Sequence, residues 1–279
     1  MTPLVFGAML ASAFLHAAWN AWVKSRGDST AAVSALVIGA GFPYLVILFF
    51  VGLPPLAAWG WITLTVGLSI VSLTLLAAAY REGDFAVAYP MIRGLIPVVL
   101  VLAAAPLFGE VLTLPAAFGV LCVSAGLGLI AWESARRTRT MTLKGLGFAA
   151  LAASFTAAMV IADAKGARLS DHPVAYAGTI AVLNALAMAL VQRLRGHSVP
   201  SMLVRHWPIT IFGAVLSNTS YVLFVWSLQQ APVALVAALR ETSMLFALLI
   251  AVVMMRERVG AWRLAAVAVM MTGAVLIRS

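Results

Sequence analysis

Residues 29–80 run for 52 positions without a single charge or histidine. A soluble domain cannot present such a stretch to water, and one membrane crossing needs only about 20 apolar residues for a hydrocarbon layer ~30 Å thick. The run is therefore two crossings. The segment GLPPLAAWG at 52–60 divides them, because paired prolines end a helix. The rest of the chain follows suit: of its 279 residues 63% are hydrophobic and 10% charged, against about 45–50% and about 25% in soluble domains. That balance excludes a soluble enzyme, a disordered chain and a secreted disulfide scaffold. The lone Cys122 allows no internal disulfide and no cysteine metal cluster.

Further apolar segments place spans at 2–23, 31–52, 58–80, 85–107, 111–132, 145–164, 173–192, 207–228, 232–255 and 260–277. The first is read as a span rather than a cleavable signal, since MTPLVFGAML has no basic residue before its apolar run. The expected fold is an all-α integral membrane protein with ten transmembrane helices. The connections leave no room for an extramembrane domain. The formal charge of +9 sits in those connections, which argues for topology signals rather than nucleic-acid binding.

A shift of 147 residues lays the chain on itself. Arg93 falls on Arg240, Glu110 on Glu257 and Gly126 on Gly273, with 8 identities over the 38 positions from 93 to 130. Alanine, valine and leucine matches come easily in such a chain, but an Arg and a Glu at the same spacing do not. Residues 1–135 and 145–279 thus form two five-helix repeats joined by a basic linker at 136–144. An odd number of spans per half makes the second enter the membrane from the opposite side. The result is a pair of inverted repeats, an arrangement that commonly sets a substrate site near the midplane.

Connections after odd-numbered spans hold 13 of the 18 Lys and Arg, the other side 3, and two lie inside spans. The positive-inside rule makes the 13-residue side cytoplasmic. For a multi-pass protein of the cell inner membrane, both termini then face outward, to the periplasm.

The two arginines inside spans carry the functional reading. An ionisable residue at that depth costs about 2.5–3.5 kcal/mol on insertion scales and faces a cavity or a partner. Arg93 lies about 12 Å into span four and Arg240 equally deep in span nine from the opposite face. Both can reach one level near the pseudo-two-fold axis. Glu241 adjoins Arg240, but neighbouring helical positions point about 100° apart; it is free to answer Arg93 across the interface or to take up protons. With Glu241 ionised the trio carries net +1. Such a chamber favours a carboxylate, phosphate or phosphonate, because guanidinium grips planar oxyanions with two donors. The competing reading is a buried ion-pair network that only locks the bundle.

In span one, LHAAWNAWVK puts His16 and Asn20 on one face with Trp19 beside them, for substrate contact, proton relay or interhelical bonding. In span eight, SNTSY sets Asn218 and Tyr221 three apart; helix–helix bonding comes first for them and for Asn184, and cavity contact second. Tyr89–Pro90 is expected to bend or loosen span four before Arg93. Glu110 and Glu257 are expected at helix starts. Asp163 and Lys165, at the end of span six, are expected at the interface. Gly39 and Gly41 allow close helix contact. The candidate substrate-binding set is His16, Trp19, Asn20, Tyr89, Arg93, Asn218, Tyr221, Arg240 and Glu241.

LHAAWN in span one, AVAYPMIRGLIPVVLVLAAAPLFGE around span four and its echo APVALVAALRETSMLFALLIAVVMMRERVG in the second half resemble the drug/metabolite transporter superfamily, and within it the EamA branch. The resemblance implies a secondary transporter, usually an exporter of amino acids, related metabolites or drugs, without ATP hydrolysis. It carries the family's Arg and Glu motif positions onto Arg93, Glu110, Arg240 and Glu257. Related small multidrug transporters exchange protons through a Glu in their first helix. This chain has His16 there and no acid, so that mechanism does not transfer. Some similar proteins are associated with phosphonate use, in keeping with an anion-friendly chamber.

The expected function is secondary active transport, as an exporter, of a small carboxylate- or phosphonate-bearing metabolite by alternating access, with coupling to protons open. The alternative is a lipid or lipid-linked carrier flippase, which needs an apolar lateral opening. HExxH, GxSxG and paired-Asp motifs are missing from the spans, so no enzyme is expected. No cofactor, metal or nucleic acid is expected either, and the assembly is a monomer or homodimer.

Overall fold

The computed structural model describes residues 1–24, 29–138, 141–255 and 260–278. The secondary structure of these residues is helical, with no strand among them. Seven long helices come first: α1 (Pro3–Lys24), α2 (Ser29–Val51), α3 (Leu56–Arg81), α4 (Phe85–Phe108), α5 (Leu114–Arg137), α6 (Leu143–Arg168) and α7 (Pro173–Leu194). A short α8 (Val199–Arg205) and a π-helical turn (Ile209–Gly213) lead into α9 (Ala214–Gln230). The ninth span is α10 (Val233–Glu241) continued by α11 (Ser243–Met255), and α12 (Ala261–Arg278) is the tenth. Ten helical stretches are long and apolar enough to cross a membrane, in agreement with the hydropathy reading. Glu257, and four of the basic residues counted for orientation, Arg26, Arg139, Arg256 and Arg258, lie outside the described residues.

Three boundaries differ from the sequence expectation by three residues or more, one of them the end of the fifth helix, which runs to Arg137 rather than 132. Thr113 caps α5 by accepting the N–H of Ala116, so the fifth helix starts at 114 rather than 111. The sixth continues to Arg168 instead of stopping near 164, because nothing in AKGAR breaks a helix and Leu169 closes its end with bonds to Lys165 and Gly166. Pro90, Pro97 and Pro106 all lie within α4, which nevertheless runs unbroken from 85 to 108. The ninth span is interrupted at Thr242, whose hydroxyl donates to the carbonyl of Leu239 at 2.6 Å. A break at this depth is tolerated only inside protein, and Thr242 is buried.

Lipid tails are as apolar as leucine, so close backbone approach rather than hydrophobicity drives helix association in a membrane. The contact of α5 with α12 shows this. A Cβ built on Gly119 would stand 2.7 Å from the carbonyl oxygen of Gly273, and one on Gly273 2.6 Å from that of Gly119. Gly126 meets the carbonyl of Ala266 in the same way. The two helices are therefore antiparallel. The 147-residue shift exchanges the two contacts, since it carries Gly119 to Ala266 and Gly126 to Gly273. Gly41 against Ala185 and Tyr44 against Gly178 make α2 and α7 antiparallel as well, and Gly39 lets α2 approach the backbone of Thr210. Bonds of Thr65 to Asp163 and of Ser72 to Thr156 do the same for α3 and α6.

The pairs α3·α6 and α1·α9 correspond when five is added to each span's number and the count wraps at ten; α2·α7 and α5·α12 map onto themselves. One apolar cluster runs through the bundle, rich in alanine and including Leu100, Val123, Leu127, Phe224 and Leu239.

Candidate functional site

The fourth and ninth spans meet at a charge pair. Nε of Arg93 lies 2.8 Å from Oε2 of Glu241, with the arginine side chain 13% and the glutamate 3% exposed. Neither of those two atoms has a well-aligned hydrogen bond, so charge rather than an aimed N–H holds them together. Nη2 of Arg93 donates to the hydroxyl of Ser243 at 3.1 Å. Arg93 therefore spans the break in the ninth crossing, gripping the last residue of α10 and the first of α11.

Arg240 is in a different position. Its guanidinium carbon stands 3.9 Å over the ring of Phe224, a cation–π contact worth about 0.5–2 kcal/mol. No acceptor among the described residues takes a hydrogen bond from its five donors. None of its nitrogens is among the fully buried unsatisfied atoms, so they retain accessible surface. The neighbouring residues of one helix thus have opposite fates: Glu241 is spent on Arg93, and Arg240 is left with open donors.

Around the two arginines stand residues from four other crossings. His16 of α1 is within electrostatic reach of both. Its ring meets Trp19 edge-on at 5.2 Å. Asn20 does not project into the site with its amide nitrogen, which donates to the carbonyl of His16 at 2.7 Å. Tyr89 lies one turn before Arg93, its ring 5.6 Å from the guanidinium. It stacks on Phe85, which in turn tilts against Tyr80. Asn218 ties α9 to α2 by donating to the carbonyl of Ala40 at 3.0 Å.

Tyr221 leads to a group that the sequence reading misplaced. Its hydroxyl donates to Oδ2 of Asp163 at 3.1 Å. Asp163 is wholly buried, not interfacial. Its Oδ1 accepts from Thr65 at 2.9 Å and from Tyr176 at 3.3 Å. The error came from ending the sixth helix too early; four more residues place Asp163 inside the bundle. Its three partners come from α3, α7 and α9, so no local spacing announces them. Asp163 and Arg240 also feel each other's charge. Phe224 and Ser243 were missed for the same reason. Lys165 donates to the carbonyl of Leu107 and lies over Phe108.

Glu110 does act at a helix start, but not at its own. Oε2 accepts the N–H of Val233, the first residue of α10, at 2.8 Å, and Oε1 pairs with Arg168 at 2.7 Å. Arg168 also donates to the carbonyls of Leu228 and Ala231. These bonds tie the ends of α6 and α9 to the starts of α5 and α10.

The ring of Phe224 covers one side of the Arg240 guanidinium and that of Tyr89 lies beside Arg93, and the two best-formed cavities lie elsewhere. A cavity of about 640 Å³ lies at the end of α7 against α8, bordered by Gln192, Arg195, His197, Arg205 and His206. A second, of about 290 Å³, lies between α2 and α9, bordered by Tyr44, Asn218 and Val222. No group of three or more metal-ligating side chains occurs among the described residues.

Residues 143–279 match the EamA-like transporter family. A protein of known crystal structure has the same fold, with a TM-score of 0.71 at 19% identity over 98% of this chain and 94% of that one. No curated protein matches the sequence. Ten membrane-length helices make this a multi-pass membrane protein, the fold match covers nearly its whole length, and its second half, residues 143–279, matches a family of small-molecule membrane transporters, the EamA-like transporters.

Proposed function

We propose that this transporter exports a small metabolite bearing a carboxylate or phosphonate, and that Arg240 receives the anion. The open donor set of Arg240 carries the reading. A guanidinium within a membrane span and without an acceptor is costly unless something supplies one, and a planar oxyanion satisfies two donors at once. Arg93 is not the receptor, since Glu241 already neutralises it. The pair instead braces the broken ninth span beside the site. His16, Trp19, Tyr89 and Tyr221 supply the walls, and Asn20 and Asn218, each with one amide N–H spent on a backbone carbonyl, keep the second N–H and the amide oxygen for substrate. The bundle works as two inverted repeats that rock about this level, a reading supported by the exchange of the Gly119–Gly273 and Gly126–Ala266 contacts under the 147-residue shift.

A thermal-shift screen of amino acids, carboxylates, phosphonates and neutral drugs on purified protein tests this, since a ligand stabilises the state it binds. Compounds that raise Tm in the parent and not in Arg240→Ala, and that share an anionic group, are expected. Stabilising compounds without an anion, or equal shifts in both proteins, would rule Arg240 out as receptor. The groove between α2 and α9 favours the second reading, lipid flipping, because it is bordered by apolar and exposed residues such as Val215. Headgroup-dependent lipid movement in liposomes, with no response to soluble anions, is the outcome that selects it.

A further inference from the structure

The buried Asp163 cluster is unused by anion binding at Arg240. A carboxyl with no solvent exposure on a transmembrane helix is expensive, and a purely structural tie between helices would be cheaper with Asn or Ser. The surroundings fit a group that changes its proton count. As a carboxylate, Asp163 accepts from Thr65, Tyr176 and Tyr221. As an acid it must donate once, and an acceptor is at hand. The hydroxyl of Tyr176 sits 3.3 Å from Oδ1 of Asp163 and 3.4 Å from the carbonyl of Ala162. It can turn its single hydrogen from the carboxylate to that carbonyl and accept the new proton of Asp163. Both protonation states are thus satisfied without moving a helix. Gly166 makes this possible: a Cβ there would stand 2.7 Å from the Tyr176 hydroxyl.

The cluster is also wired to the anion site. Tyr221 is half-buried while Asp163 and Tyr176 are buried completely, so Tyr221 is the side of the cluster nearest to accessible space. Phe224, one turn along α9, carries Arg240 on its face. Among the described residues, the ionisable groups facing this region are Tyr176, Tyr221 and Arg240. Beyond them are His16 on α1 and the Arg93–Glu241 pair. Arg240 is the cation that Asp163 feels.

We propose that Asp163 is the proton-carrying group of this transporter and takes up one proton together with the anion bound at Arg240. The inference rests on the anion reading above and adds the coupling group. An anion on Arg240 cancels a positive field that favours the carboxylate of Asp163, so anion binding favours proton binding, and by reciprocity the proton favours the anion. One H⁺ joins the carboxylate of Asp163 as one negative charge arrives at Arg240, and the loaded chamber carries the same net charge as the empty one.

Infrared difference spectroscopy of the purified protein in lipid nanodiscs, titrated across the pH range in which it stays folded, tests the inference without any substrate. Acidification is expected to raise the carbonyl-stretch band of a protonated buried carboxyl. The band should shift with aspartate carrying a ¹³C carboxyl and vanish in Asp163→Asn. In Arg240→Gln and in Tyr221→Phe it should persist to higher pH, because each removes a group that favours the carboxylate. No aspartate-dependent band in the parent, or an unchanged transition in Arg240→Gln, would overturn the inference. These readouts are independent of the thermal-shift screen. A titrating Asp163 with no anion response overturns the reading of Arg240 and the coupling to it while leaving Asp163 as a proton carrier, and an anion response with a silent Asp163 overturns only the proton carrier.

Discussion

Nε of Arg93 on α4 lies 2.8 Å from Oε2 of Glu241 at the end of α10, which joins the two halves of the chain by a charge pair inside the bundle. Sequence puts Glu241 beside Arg240, but the turn of the helix gives it to the arginine of the other half. That exchange leaves Arg240 with donors to offer.

Removing one partner of this pair strands a buried charge, at a cost of about 3–5 kcal/mol. Arg93→Met and Glu241→Met are each expected to lower the melting temperature of the purified protein clearly. The double replacement should recover much of the loss, because no lone charge remains. A strictly additive double mutant would show that the two do not interact.

The α5–α12 seam depends on the absence of side chains. Gly119→Ala and Gly273→Ala each push a Cβ against a carbonyl oxygen less than 3 Å away, and overpacking of this kind costs about 1–3 kcal/mol. Gly128 has open space beside it, so Gly128→Ala should be neutral or stabilising by up to about 1 kcal/mol. Thermal denaturation of the three variants side by side checks the contrast.

Glu110 performs two tasks, capping Val233 and pairing with Arg168. Loss of a helix cap costs about 0.5–2 kcal/mol. Glu110→Ala and Arg168→Ala should both destabilise, and the double mutant should fall short of their sum because they share one network. Melting curves of the full cycle give the coupling.

The asymmetry of basic residues makes an orientation prediction. In a Cys122→Ser background, Asp171→Cys between α6 and α7 should react with a membrane-impermeant maleimide in intact cells. Ser198→Cys before α8 should react only after permeabilisation. The reverse pattern would invert the topology.

The ten crossings were legible because each is an apolar run of the required length, and the turns between them hold most of the charge. Arg93, Arg240 and Glu241 were legible because charge inside a span is rare enough to notice one residue at a time. Asp163 was equally visible as a letter. Its meaning was not, since its depth depended on where α6 ends and its three hydroxyl donors arrive from α3, α7 and α9. The role of Glu110 was half legible: its type suits a helix start, but the helix it caps begins 123 residues later. The π-helical turn at 209–213 and the break at Thr242 left no periodic signal at all, because each is a change of a residue or two in an otherwise apolar stretch.

Sequence alone determined that the chain crosses a membrane ten times and carries two arginines at matching depths, since transfer of backbone and charge into lipid depends on composition and length within each segment. Tertiary structure decided which arginine is neutralised, which stays open and which carboxylate is sealed among hydroxyls. Those outcomes depend on distances of a few ångströms between helices remote in the chain, and no local pattern encodes them.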